Sequence, residues 1–181
     1  MASDIAARLT AVTSTTHGSD QILELLAMPT TALPVLSALT SRESEVLSLV
    51  ADGLRNSEIA ARIGVTEGTV KGYLRGIRSK LGTSSRPVLA GIACRAGHQA
   101  RPKGAEVVPP ELSDTEADTL PLLARGAGAR EVAKAQLMSQ SIAKKHIRRL
   151  LDKMGASDVA HGVSLAWSWG ILSADEGARS R

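Results

Sequence analysis

Basic side chains recur at helical spacing in two separate stretches of this 181-residue sequence. In the first stretch Lys71 and Arg75 lie one helical turn apart, and in the second Lys144 and Arg148 repeat that spacing. Residues four apart lie on one face of an α-helix, so each pair would project from a common surface. Ammonium and guanidinium groups donate hydrogen bonds to phosphate oxygens and to the O6 and N7 atoms of guanine. The chemistry therefore favours a polyanionic partner.

The two stretches belong to an internal repeat that organises the chain. A shift of 73 residues places 112–170 on 39–97 without a gap. Both segments begin with a leucine and a hydroxyl residue followed three positions later by a glutamate, and both carry a lysine two residues before a glycine after the basic stretch. A single register that holds over about sixty residues indicates a duplicated domain.

Charge and composition limit the class of protein. The formal net charge is +4, to which 39–97 contribute +4, 112–172 contribute +2 and 1–38 contribute −2. Aromatic residues make up only 2% of the chain, which disfavours recognition of single strands by base stacking. One cysteine, Cys94, excludes a disulfide framework and a cysteine-built zinc site. No apolar run has the length of a membrane span, so we expect a cytoplasmic, nucleoid-associated protein.

Changes in composition mark the boundaries of the repeats. Residues 98–111 contain three prolines and show no helical period, which is typical of a semi-extended linker. The Ser- and Thr-rich residues 10–19 are expected to be disordered, and 20–27 predict a short helix. The predicted organisation is an N-terminal extension (1–38), a first domain (39–97), a linker (98–111), a second domain (112–172) and a disordered tail (173–181).

Each repeat carries the signals of four helices. Thr40 with Glu43, and Ser113 with Glu116, form capping boxes in which a hydroxyl and a carboxylate bind the first free amides of a helix. Apolar residues spaced by four, three and four give the third helix a core stripe. No segment of either repeat predicts a strand, so the expected fold class is all-α. In the first repeat the helices are predicted at 41–52, 56–63, 67–81 and 85–96, and in the second repeat the fourth helix is predicted at 157–169.

The two repeats depart from an ideal helical pattern in different ways. The first has Gly68, Gly72 and Gly76 in its third helix, which predicts either weak helicity corrected by packing or a close approach of the backbone to a ligand. The second has Pro121 inside its first helix, where a kink is expected. It also has Gln136 in place of a core isoleucine of the first repeat.

The motifs of the first repeat resemble those of a known family. They are Leu39-Thr-x-Arg-Glu, Asn56-Ser-x-Glu-Ile-Ala, Thr69-Val-Lys and Lys80-Leu-Gly, and together they resemble the LuxR/NarL-type DNA-binding domain. Residues 112–172 resemble the same family less closely. The resemblance implies two compact four-helix domains, each with a helix-turn-helix whose third helix enters the major groove and a fourth helix that forms dimer contacts. Members of the family usually carry a receiver or ligand-binding domain first, for which the 38 preceding residues are too few.

The resemblance also implies which residues face DNA. A third helix that buries its apolar stripe leaves the opposite face for the major groove. There lysine and arginine can bind guanine, with about 1–3 kcal/mol of discrimination for a good bidentate pair. The implied base-contacting residues are Lys71, Gly72 and Arg75 in the first repeat, flanked by Arg78, and Lys144, Lys145 and Arg148 in the second, beside Arg149.

Other side chains are candidates for phosphate contacts. Hydroxyl and amide groups near the start of a helix commonly bind phosphate oxygens, and lysines add attraction that does not depend on base sequence. The alternative for any basic helix face is a solvated surface with no partner. The candidates are Thr66, Thr69, Asn56, Ser57, Ser139 and Ser141, with Lys80 and Lys153 as non-specific electrostatic contributors.

The leading hypothesis is a bacterial transcriptional regulator with two tandem DNA-binding domains. The fourth helices could pair within the chain and give a pseudo-symmetric reader of an inverted repeat, whereas domains held apart by the linker would allow a direct repeat. A homodimer is the other arrangement considered.

Two further classes of function fit the same residues. One is an architectural or replicon-maintenance protein that binds plasmid, phage or chromosome ends. The other is a protein-interaction module in which a degenerate copy binds RNA polymerase or another regulator. The sequence has no catalytic triad in a suitable context, no complete cofactor motif and no metal-ligand spacing, so neither an enzyme nor a cofactor is expected.

Overall fold

The computed structural model describes residues 34–97 and 108–172, and every regular element within them is helical. The predicted N-terminal helix at 20–27, most of the predicted linker and the predicted tail lie outside the described residues. After a 3₁₀ turn at Pro34–Ala38, the first unit contains α1 (Ser41–Ala51), α2 (Asn56–Ile63), α3 (Glu67–Leu81) and α4 (Arg86–Arg95). The second unit contains α5 (Asp114–Ala124), α6 (Ala129–Ala135), α7 (Gln140–Lys153) and α8 (Val159–Ser168).

Both predicted capping boxes are confirmed. The Thr40 amide donates to Glu43 Oε2 at 2.7 Å, and the Glu43 amide donates to Thr40 Oγ1 at 3.3 Å. Ser113 and Glu116 repeat the arrangement at 2.9 and 3.3 Å. These reciprocal bonds satisfy amides that a helix start leaves unpaired, which fixes where α1 and α5 begin.

The core stripe predicted for the third helix is buried in the first unit. Val70, Leu74, Ile77 and Leu81 are each no more than 2% exposed and pack against α1 and α4. In the second unit the equivalent residues of α7 also face inward, although Ile147 is only half-buried. Burial of one stripe leaves the opposite face of each third helix in solvent.

The fourth helices pack against each other and join the two units. Ala160 of α8 belongs to the apolar core of the first unit. Gly91 of α4 lies against α8, because a Cβ added to it would stand 3.8 Å from both Val163 Cγ1 and Trp167 Nε1. The small residues let the two helix backbones approach closely, and the contact buries apolar surface from both units.

The contacts between the units are reciprocal. Gly53, after α1, packs on His161 of α8, and Gly126, after α5, packs on Val88 of α4. Under the 73-residue shift Gly53 corresponds to Gly126 and Val88 to His161, so each contact is the counterpart of the other. An interface in which residue i meets j and j meets i has two-fold symmetry. A pseudo-two-fold axis therefore relates the described units.

The second unit contains a polar cluster inside its apolar core. Gln136 Nε2 donates to Thr119 Oγ1 at 2.8 Å, and His146 Nε2 lies 2.9 Å from the same oxygen. Thr119 is completely buried, and Gln136 Oε1 is buried without a hydrogen-bond partner. The structure therefore explains how a glutamine replaces the core isoleucine, and it leaves one acceptor unsatisfied.

Helix α5 continues through Pro121 to Ala124. Pro121 is half-buried and its carbonyl accepts from the Arg125 amide at 3.2 Å, so the helix ends normally four residues later. The kink itself stays a prediction. No described helix combines the length and apolarity required to cross a bilayer.

Candidate nucleic-acid interface

The first unit contains a helix-turn-helix whose turn is fixed by two residues. Gly64 ends α2 in the left-handed conformation, with φ 69°, which glycine adopts without steric strain. Thr66 then caps α3, because its Oγ1 accepts from the Thr69 amide at 3.2 Å and lies 3.0 Å from Thr69 Oγ1. Both hydroxyls are therefore held at the exposed N-terminus of α3.

The outward face of α3 is the predicted basic face. Lys71, Gly72 and Arg75 are all exposed, and Arg78 is half-buried at the flank. A Cβ added to Gly72 would meet nothing within 4 Å, so the absence of a side chain there is not required by packing within the protein. A ligand surface can consequently approach the α3 backbone at Gly72 between two cationic side chains.

Gly76 has a different role from the one considered in the sequence. A Cβ at Gly76 would stand 2.5 Å from Glu43 Oε1, so the residue is small because α1 presses a carboxylate against α3. Close approach does occur at this glycine, but the approaching group is internal to the protein. Gly68 is exposed, and only Thr66 Oγ1 would lie near its Cβ, at 3.5 Å.

The capping glutamates also form ion pairs with the lysines at the ends of the third helices. Lys80 Nζ donates to Glu43 Oε2 at 2.6 Å, and Lys153 Nζ donates to Glu116 Oε2 at 2.7 Å. The hydrogen bond from each lysine is the main reason that the pKa values of Glu43 and Glu116 are lowered. These pairs tie α3 to α1 and α7 to α5.

The lysines of these pairs were predicted to attract phosphate, and that role stays a prediction. Lys80 and Lys153 each share their charge with a carboxylate, so less of it is available to a distant anion. The sequence carried a signal for the pairing that the analysis did not use. The glutamate and lysine are separated by 37 residues in both repeats.

Arg86 connects the start of α4 to the helix-turn-helix. Its Nη1 donates to Asn56 Oδ1 at 2.9 Å, and its Nη2 donates to the Leu54 carbonyl. Burial lowers the pKa of the guanidinium, and the opposite charge of Asp158 in the second unit acts in the other direction. Asn56 is therefore held in place by Arg86, whereas its neighbour Ser57 is exposed. No spacing in the sequence identified Arg86.

The second unit presents a denser basic face. Ser139 caps α7 by accepting from the Ile142 amide at 3.3 Å, and Ser141 is exposed in the first turn. His146, which interrupts the basic run, turns inward to Thr119 and leaves that face. The predicted base-contacting residues Lys144, Lys145, Arg148 and Arg149 are all exposed.

The remaining reactive groups do not form a second kind of site. Cys94 is half-buried between the units, and burial raises the pKa of its thiol to about 11, which disfavours the reactive thiolate. Within 34–97 and 108–172, no three His, Cys, Asp or Glu residues are grouped closely enough to hold a metal ion.

The turn, the capped α3 and its exposed cations define a helix-turn-helix unit, and a comparison with protein families agrees with that class. Residues 37–93 match the family described as bacterial regulatory proteins, luxR family. The chain therefore contains a LuxR-type helix-turn-helix domain at 37–93. The match ends before the second unit, whose assignment to the same domain type remains a prediction.

Proteins that match this part of the chain include several named regulators. The chain is 42% identical over 57 residues to the probable transcriptional regulatory protein SgaR of Hyphomicrobium methylovorum, covering 32% of this chain and 27% of that protein. It is 46% identical over 59 residues to the transcriptional regulatory protein LnrK of Bacillus subtilis, covering 33% and 27%. It is 39% identical over 69 residues to the DNA-binding transcriptional activator DevR/DosR of Mycobacterium tuberculosis, covering 38% and 31%.

The chain thus spans less than a third of the length of these three relatives. A comparison with solved structures found no match.

Proposed function

We propose that the protein is a bacterial transcriptional regulator that binds double-stranded DNA in a sequence-specific manner at the nucleoid. The observation that carries this proposal is the exposed face of α3, where Lys71 and Arg75 flank the open backbone of Gly72 in a LuxR-type domain. The relatives that match this domain are named as transcriptional regulators, which supports the same function.

The second unit is proposed to bind DNA in the same way. Its α7 has the same position in the repeat as α3, and Lys145 supplies a cation where the first unit has Gly72. Together with Lys144, Arg148 and Arg149 it gives α7 the larger exposed positive charge. Attraction to phosphates should therefore be stronger at the second unit, whereas the first unit allows the closer backbone approach.

The pairing of α4 with α8 supports an intrachain pseudo-dimer as the DNA-binding form. If both units bind one duplex, the pseudo-two-fold axis between them must coincide with a dyad of the DNA. The half-sites would then be inverted with respect to each other, and a direct repeat would not fit without separating Gly91 from Val163 and Trp167. Because α3 and α7 differ in sequence, the two halves of the site need not be identical.

Affinity and its salt dependence test the function directly. Lys71→Ala/Arg75→Ala and Lys145→Ala/Arg148→Ala are each expected to weaken binding to a selected duplex, and to lower the slope of log affinity against log salt by about two. Arg42→Ala is the matched control, because Arg42 is an exposed cation on α1 that pairs with Glu45 at 2.7 Å. No salt-dependent binding by the wild-type protein, or an equal effect of the control, would contradict the proposal.

A further inference from the structure

The exposed apolar side chains of the second unit are unexpected beside its basic face. Within the described residues, three large hydrophobic side chains are classed as exposed, and two of them flank the start of α7. Leu137, in the turn, is 96% exposed, and Ile142, in the first turn of the helix, is 56% exposed. Neither residue contributes to the second core, so packing within the protein does not account for them.

Ile142 is held in a defined place on the basic face. Its amide donates to Ser139 Oγ, which fixes it as the third residue of α7. At 100° per residue, Lys145 and Arg149 follow Ile142 on the same side of the helix, one and two turns later. Ile142 therefore extends the exposed cationic face toward the helix N-terminus.

The first unit has a polar residue at the same position. Thr69 corresponds to Ile142, and its Oγ1 lies 3.0 Å from Thr66 Oγ1, where it can also reach a phosphate oxygen. The isoleucine side chain has no hydrogen-bonding atom, so it cannot make that contact. The two reading helices thus begin with different chemistry on the same cap.

We infer that Ile142 is a specificity-determining residue that contacts the 5-methyl group of a thymine in the half-site of the second unit. This inference rests on the proposed DNA-binding function. Residues near the N-terminus of a recognition helix contact base edges, and the thymine methyl is the apolar group that the major groove presents. Contact with it removes the exposed isoleucine from water, while Lys145 and Arg149 pair with the surrounding polar and anionic groups.

The experiment replaces single thymines by uracil in a duplex selected by the wild-type protein. Uracil keeps every hydrogen-bonding group of thymine and removes only the methyl. One replacement in the half-site of the second unit should raise Kd about fourfold, the value expected for one buried methyl-sized group. With Ile142→Ala the same replacement should have no effect, because the side chain that contacts the methyl is shortened. Thr69→Ala and Leu137→Gly are the controls, and both should keep the sensitivity to uracil.

The outcomes separate this inference from the proposed function. Specific binding in which no thymine of that half-site depends on Ile142 would overturn the inference and leave the function intact. No specific binding by the wild-type protein would overturn the function itself. Selection of a duplex with a single half-site, together with unchanged affinity of Ile142→Ala, would assign the exposed isoleucine to a protein contact and also overturn the inference. Circular dichroism of Ile142→Ala checks that α7 remains helical.

Discussion

The two units share a fold but differ in how they fill it. In the first unit Val46, Ile63 and Tyr73 lie around one region of the core, and the reading helix contains three glycines. At the equivalent positions the second unit has Thr119, Gln136 and His146, which form a polar cluster, and its reading helix carries more exposed charge. One framework therefore accepts apolar contacts or a small hydrogen-bonded network at the same place. The difference suggests that the first unit favours a well-packed core and the second favours charge on α7.

The largest expected effect comes from separating the units. Gly91→Glu would place a carboxylate between Val163, Trp167 and the Ala124 carbonyl, with no cation among these neighbours. Burial of an unpaired charge costs several kcal/mol, so the units should undock while each keeps its own core. Small-angle X-ray scattering should detect the larger radius of gyration.

The matched control for this change is Gly91→Ala. Its Cβ would make ordinary contacts at 3.8 to 3.9 Å, and alanine favours a helix by about 1 kcal/mol over glycine. The alanine variant should remain docked and become slightly more stable. A compact Gly91→Glu variant would contradict the observed packing.

Exchange of one core position between the units tests the contrast in polarity. Ile63→Gln in the first unit would bury an amide beside Val46, which offers no hydrogen bond, and should lower the free energy of unfolding by about 2 kcal/mol. Gln136→Ile in the second unit removes the unsatisfied Oε1 and leaves Thr119 bonded to the Thr115 carbonyl at 2.7 Å.

That second change should be close to neutral or stabilising by up to about 1 kcal/mol. Urea denaturation measures both variants. A loss of stability in Gln136→Ile as large as that in Ile63→Gln would show that the polar cluster is a required part of the second core.

The turn before the reading helix provides a smaller contrast. Leu137 has φ 52°, a left-handed conformation that costs a non-glycine residue roughly 1–2 kcal/mol, whereas the first unit has Gly64 there. Leu137→Gly should raise the free energy of unfolding by about 0.5–1 kcal/mol, since part of the relief is offset by the greater freedom of glycine in the unfolded chain.

The reverse change, Gly64→Leu, should destabilise the first unit by a similar amount. Thermal unfolding of the two variants gives the comparison. Destabilisation of the second unit by Leu137→Gly would mean that the leucine makes stabilising contacts despite being almost fully exposed.

The ion pairs should make the smallest contribution, and it depends on pH. The pKa values of Glu43 and Glu116 are lowered in the folded protein, mainly by hydrogen bonds from Lys80 and Lys153. Their stabilisation is therefore complete above the ordinary carboxyl pKa and is lost as the pH falls through the lowered folded values.

Partly exposed pairs contribute about 0–1 kcal/mol each. The double variant Glu43→Gln/Glu116→Gln should show a flatter dependence of unfolding free energy on pH between about pH 5 and pH 2. An unchanged profile would assign the acid sensitivity to other carboxylates.

Local signals in the sequence were sufficient to predict the helices. Capping boxes depend on residues three apart, and the core stripe of α3 depends on a period of 3.6, so both could be read without knowledge of the tertiary structure. The observed bounds differ from the predicted ones by one or two residues, as in α4, which begins at Arg86 rather than at 85. The exposure of Lys71 and Arg75 followed from the same periodicity.

Contacts between distant residues could not be predicted in the same way. The role of Gly76 depends on a carboxylate from α1, and the position of Asn56 depends on Arg86, 30 residues further along the chain. Helix periodicity does not specify which elements pack together. The pairing of α4 with α8 was one of several arrangements that the sequence left open, because an apolar fourth helix fits a homodimer equally well.

The most direct test of the central claim is selection of bound duplexes from a random library by the full chain. The account predicts an inverted, two-part consensus with unequal halves, in which Lys71→Ala/Arg75→Ala relaxes one half and Lys145→Ala/Arg148→Ala relaxes the other. A direct repeat, or halves at variable spacing, would contradict the pairing of the units. No enrichment of any sequence at low salt would contradict DNA recognition by α3 and α7 altogether.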